Sequence, residues 1–521
     1  MFGGGVFNLL NKNIKDFNKI MLSLGCISFL FLMGLLSYKI NNSYAYFTNS
    51  VTGNSVIEMT YTKSSLDKSG ANAPLLSSNM IPVYYDETSK AWKKADSTNS
   101  NKNYKWYDYS NKMWANAVTV TETNRTAYLN AEAGTEIPIS DINTMWVWVP
   151  RYTYTYFSSS IPVEIQISFE EGTNSSGTIS CSGTATGESS TSETCTDSTN
   201  GSLKAGTSTY THPAFWWDKD DDNVRDKDEE LTGIWVGKFE VSSDITCTVN
   251  LYDAAIGKYC NLKTIRPKII PNAISWRGAQ VGTFFYDIYN MRESGNQYGF
   301  TYFDEVHMMK NMEWGAVTYL SHSKYGTCTN GICSEVQLNS YNSYMTGCGP
   351  QSNGSASLSS TCNRYNTNLG RLASTTGNIY GVYDMSGGSS EYLMGDLVYN
   401  DETMFSGQTG GYQNSNFTGQ LYLNGILSTG EYNFPSKRYY DRYSSGTNNA
   451  EYTRGKLGDA SIEITLKTGN NVTWCLDTPL FPVSEYPWFV RGAGIGLFSF
   501  FYHSGGSSSY YSTRVVISNL S

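Results

Sequence analysis

Only two stretches of this chain place apolar residues three and four apart. They are Pro271–Met291 (PNAISWRGAQVGTFFYDIYNM) and Val306–Ser323 (VHMMKNMEWGAVTYLSHS). The rest reads as short alternating runs bounded by Asp, Asn, Ser and Gly, the pattern of brief strands joined by loops. A chain with two helices and so much loop needs a scaffold that holds its loops in place. The expected class is therefore α+β. With 521 residues, of which 40% are hydrophobic, a sizeable core is within reach. No self-similar period runs through the chain, which excludes a solenoid or propeller.

The N-terminus decides the expected compartment. Ile20–Ser37 (IMLSLGCISFLFLMGLLS) carries no charge, follows Lys12, Lys15 and Lys19, and precedes Lys39. Residues 1–45 are thus read as a cytoplasmic stub and a signal or transmembrane helix, with everything downstream exported. Ser43-Tyr44-Ala45 offers a signal-peptidase site, so retention in the membrane and release after Ala45 both stay open. Either way the protein is expected at the cell surface or outside the cell. Residues 46–143, with MIPVYYD, YKWYDY and WANAVTVTE, read as a small β-rich module or stalk preceding a domain at 144–521. Within that domain 171–211 is nearly all Ser, Thr, Gly and small polar residues, too poor in apolar groups to pack, and reads as a surface loop.

The ten cysteines include close pairs at Cys181 and Cys195, Cys247 and Cys260, Cys328 and Cys333, and Cys348 and Cys362, with Cys475 left over. Their connectivity is not given by spacing, but an exported chain is expected to oxidise them. The net charge of -9 leaves no basic stripe, which argues against a nucleic-acid partner. Forty Tyr and forty-eight Gly suit an adaptable binding surface as well as loop-rich β structure.

Five motifs in order carry a resemblance. They are GIWVGKFEVS (Gly233–Ser242), PNAISWRGAQ from Pro271, HMMKNMEWGAVTYL (His307–Leu320), NIYGVYDMSGGSSEYLMG (Asn378–Gly395) and the closing pair Arg491-Gly492 with STRVV from Ser512. From about Met145 to Ile517 the chain resembles the formylglycine-generating enzyme, or sulfatase-modifying factor, family. The resemblance implies a C-type-lectin-like fold with two helices, short strands and long loops. It also implies that Trp235, Trp276 and Trp314 are core anchors.

The same resemblance weighs against catalysis. The family's enzymes use two cysteines near the C-terminus to hold copper, and here no cysteine follows Cys475. Related sulfoxide synthases need clustered histidines, whereas His212, His307, His322 and His503 are far apart in sequence. The expectation is a binder, not an enzyme. Another branch of the fold, diversified by retroelements, displays interchangeable side chains on a final segment, and 488–517 is similar to it. Ser499, Phe501, Tyr502, His503, Ser504, Ser507, Ser508, Ser509, Tyr510 and Tyr511 are the expected ligand-binding residues. The expected function is an adhesin or receptor for an extracellular protein, a glycan, or a phage or cell-surface ligand. A degenerate enzyme and a phage-derived tail-tip binder are the alternatives.

One metal site is expected. DKDDDNVRDKDE (Asp218–Glu229) has the oxygen-ligand spacing of an EF-hand-type calcium loop: Asp218, Asp220, Asp222, the Val224 carbonyl, Asp226 and Glu229. Family resemblance suggests a second site at Glu391, but Gly388 stands where a ligand Asn belongs, so Glu391 is expected to brace the core.

Overall fold

Alternating runs become strands at MIPVYYD and WANAVTVTE. They form β1 (Ile81–Asp86) and β3 (Asn116–Val120), with β2 (Ala91–Lys94) between them. The next strand, β4 (Ile142–Pro150, INTMWVWVP), is buried along its whole length. A strand covered on both faces reads as an apolar run instead of alternating. With β5 (Gly233–Gly237), β6 (Val306–Met308) and β12 (Val515–Ile517), these build a seven-stranded antiparallel sheet of order β6-β12-β5-β4-β3-β1-β2. The computed structural model describes residues 64–155, 164–179, 209–222, 225–244, 265–355, 357–398, 418–423, 426–431, 435–444, 456–461, 479–483, 486–492 and 496–518.

Mixed α+β architecture, mostly strand, is what the chain adopts. The module boundary expected at 143 falls inside β4, and Thr62–Ser521 forms one unit. Its physical cause is the shared sheet: β3 pairs with β4 along its length, and Trp106 stacks on Trp235 of β5 at 6.4 Å. Residues 81–120 therefore extend the central sheet instead of making a stalk.

Three helices occur among the described residues. The one expected over Pro271–Met291 is confined to α2 (Val281–Tyr289), because Asn272 and Gly278 hold left-handed φ values of 58° and 83° that interrupt a helix. The one expected from Val306 begins only at α3 (Asn311–Ser321), since Val306–Met308 pairs with Val515–Ile517 as β6. Tertiary pairing overrides the helical period there. The third, α1 (Glu122–Asn130), buries no residue and so shows no apolar stripe. It is tied down by polar bonds, Tyr128 Oη to Asp141 Oδ2 at 2.7 Å and Arg125 to the Gln297 carbonyl.

A second sheet carries the C-terminal region. Its order is β8 (Asp441–Ser444), β7 (Ser390–Val398), β9 (Trp488–Arg491), β10 (Phe500–His503), with β11 (Tyr511–Thr513) parallel to the start of β7. Helix α3 lies against β4 and β7, one strand from each sheet. Cys328–Cys333 and Cys348–Cys362, two of the four close pairs, are disulfides. The other expected pairs, Cys475, most of 171–211 and the apolar run Ile20–Ser37 lie outside the described residues. Among the described residues no helix is long and apolar enough to cross a membrane.

Candidate functional site

The terminal segment is held at both ends. Phe500–His503 pairs antiparallel with Trp488–Arg491, and Tyr511–Thr513 runs parallel to Ser390–Tyr392. One residue later the chain leaves this sheet and enters the central one as β12. Arg514, fully buried at that crossing, donates from Nε to Glu391 Oε2 (2.9 Å) and from Nη2 to Glu391 Oε1 (2.5 Å). It also donates to the carbonyls of Gly237 (2.8 Å) and Tyr383 (2.9 Å). The planar guanidinium fork matches a carboxylate and two carbonyls at once, which an ammonium cannot do.

Two further carboxyls are buried beside this pair. Asp384 accepts from the Gly347 N–H and from Asn339 Nδ2, both at 2.8 Å. Glu240 accepts from Ser275 Oγ at 2.5 Å, and its Oε1 has no partner. Burial raises the pKa of all three acids; Arg514 pulls Asp384 and Glu391 back down, while their charges push Glu240 further up. Glu240 is therefore pushed well above the usual carboxylate range. A Cβ on Gly388 would lie 2.3 Å from Glu240 Oε1, and its φ is 74°, so a side chain there would have to displace the Glu240 carboxyl. Glu240 thus occupies the space an Asn side chain would need, and Glu391 braces Arg514, as expected.

Alternation along β10 divides the expected binding residues. Tyr502 stacks on Tyr486 at 5.4 Å, whereas Phe501 and His503 lie towards Tyr511, at 6.5 and 4.5 Å. The ten residues do not share one face. Ser499 is buried at 2% exposure and is removed from the surface set, because it precedes a strand whose Phe500 packs with Phe481 and Phe489. His503 Nδ1 meets the Tyr392 hydroxyl, which also bonds the Gly506 carbonyl at 2.7 Å, and burial lowers the imidazole pKa to about 4. His503 therefore fastens the loop from below. Ser504, Ser507, Ser508 and Ser509 are half-buried, Tyr511 likewise, and Tyr510 is 61% exposed.

A neighbouring loop completes this surface, and the sequence reading missed it. The Tyr344 ring lies 6.4 Å from that of Tyr510, with the Arg277 guanidinium 4.3 Å from its centre. Arg277 also donates to the Ser509 carbonyl, and the Gly278 N–H donates to the Ser508 carbonyl at 2.9 Å. The signal available in sequence was composition: Tyr341-Asn342-Ser343-Tyr344 repeats the Tyr/Ser character of the terminal segment.

The acidic loop is assembled in part. Asp218, Asp220 and Asp222 place carboxylate oxygens within 4.8 Å of one another. Glu229 is not turned to them. Buried, it accepts from Trp216 Nε1 and the Lys219 N–H, each at 2.8 Å, and from the Asp226 N–H at 3.3 Å. Asp226 begins the short turn Lys227–Glu229. Val224 lies outside the described residues. The chain matches no family model and no curated protein.

Proposed function

We propose that this protein is an exported surface binder built on a C-type-lectin-like scaffold of the formylglycine-generating-enzyme kind, not an enzyme. Its ligand face is the terminal loop around Tyr510, between β10 and β11, and Ile20–Ser37 is its signal or membrane anchor. The observation that carries the reading is the Arg514–Glu391 pair: a fully buried bidentate clasp fixes the end of a segment whose own side chains are Tyr, Ser and Gly. A rigid frame under adaptable side chains is how binding loops keep their fold while their surface varies. Two disulfides are consistent with an oxidising compartment. Asp218, Asp220 and Asp222 are the proposed calcium ligands, with Glu229 as the clasp of their loop.

Sequencing the DNA that flanks the coding region tests diversification. The expected result is a reverse-transcriptase gene and a near-copy of the codons for Arg491–Val516 that differs at adenines. Finding neither would make the terminal loop a fixed-specificity surface and end the diversified reading.

A further inference from the structure

Tyr344 holds φ at 56°, in the left-handed region that a bulky aromatic residue rarely enters. Strain of this kind persists where surrounding contacts over-determine it, and it clusters at ligand sites. Here the contacts are specific: Arg277 covers the ring, and Ser275 N–H donates to the Tyr344 carbonyl at 2.9 Å. Arg277 is itself 6% exposed, so it supports the ring from beneath. The conformation brings Tyr344 beside Tyr510 at the molecular surface.

Across Tyr341–Tyr344 and Ser504–Tyr511 the side chains are rings, hydroxyls and one amide; neither stretch holds a charged or aliphatic residue. A protein–protein interface of ordinary size has an apolar centre and a polar, partly charged rim. These two stretches supply no charged rim and no aliphatic centre, only rings among hydroxyls. Aromatic rings present a negative π face, to which the C–H groups of a sugar ring are complementary, and hydroxyls and amides match sugar hydroxyls. We propose that Tyr344, together with Tyr341 to Ser343, extends the face beside Tyr510, and that this joint face takes a neutral oligosaccharide without a metal ion. The inference rests on reading the terminal loop as the ligand face.

The test is calorimetric titration of the full chain, in a detergent without sugar headgroups, with cellohexaose, chitohexaose, maltohexaose and mannohexaose. At least one is expected to bind with Kd of about 1 mM or tighter. Tyr344→Gly is expected to weaken it by about tenfold or more, and Tyr344→Phe by less than about threefold. Because glycine relaxes the left-handed backbone, the Tyr344→Gly melting temperature should stay within about 3 °C of the parent, which separates lost contact from lost fold. Binding that survives Tyr344→Gly but is lost in Tyr510→Ala overturns the part given to Tyr344 and leaves the terminal loop standing as the ligand face. Binding indifferent to both variants overturns both. If none of the four sugars binds, the glycan assignment is overturned, and the flanking DNA still decides diversification separately.

Discussion

The terminal segment and the acidic loop were both legible as residue patterns, yet the fold treats them differently. In the terminal segment, the groups that hold it are separate from those it displays: Arg514 and Tyr392 are buried, while Tyr510 is exposed. In the acidic loop the two roles fall on one pattern. Glu229, the residue expected to complete the ligand set, is bonded to Trp216 and to the loop's own backbone. A site can be varied freely only where framework and display sit on different residues.

Three measurements break or sharpen that contrast. The largest effect is expected from Arg514→Met. It leaves Glu391 buried without its partner beside Asp384 and Glu240, and should cost about 3–5 kcal/mol in denaturant unfolding. A loss below about 1 kcal/mol would mean the terminal segment is held by strand pairing instead. Next is Glu229→Gln, which sets an amide N–H against at least one of the three donors that Glu229 accepts from. It should destabilise by about 1–3 kcal/mol in the same assay, whether or not calcium is present. If the loss appears only with calcium, Glu229 swings round to become a ligand. Smallest is calcium itself: with three carboxylates a Kd near ~1 mM is expected, so 10 mM calcium, about ten times that, should stabilise by about 1.4 kcal/mol. Asp220→Asn should remove that increment and change little without calcium; an unchanged increment would place the ion elsewhere.

Legibility followed where the controlling forces are local. The alternating runs MIPVYYD and WANAVTVTE depend on neighbours in sequence, and each contains a strand, Ile81–Asp86 and Asn116–Val120. The start of α3 was not legible, because pairing of Val306–Met308 with Val515–Ile517 joins residues about two hundred positions apart. Nor was the division of the terminal residues: Tyr502 and His503 look alike in a list of exposed types, but adjacent strand residues face opposite ways. Ser499 failed for a related reason, since burial depends on what covers a position and not on its polarity.

The sequence by itself determined the α+β class, the abundance of loop, the Tyr- and Ser-rich terminal segment and the bracing role of Glu391. Those follow from composition, from local periodicity and from motif likeness. Tertiary structure alone decided that residues 81–120 join the central sheet, that Glu240 fills the space over Gly388, and that Tyr344 stands beside Tyr510. Each of these depends on which distant strands and loops the shared core brings together, and a linear pattern does not record that choice.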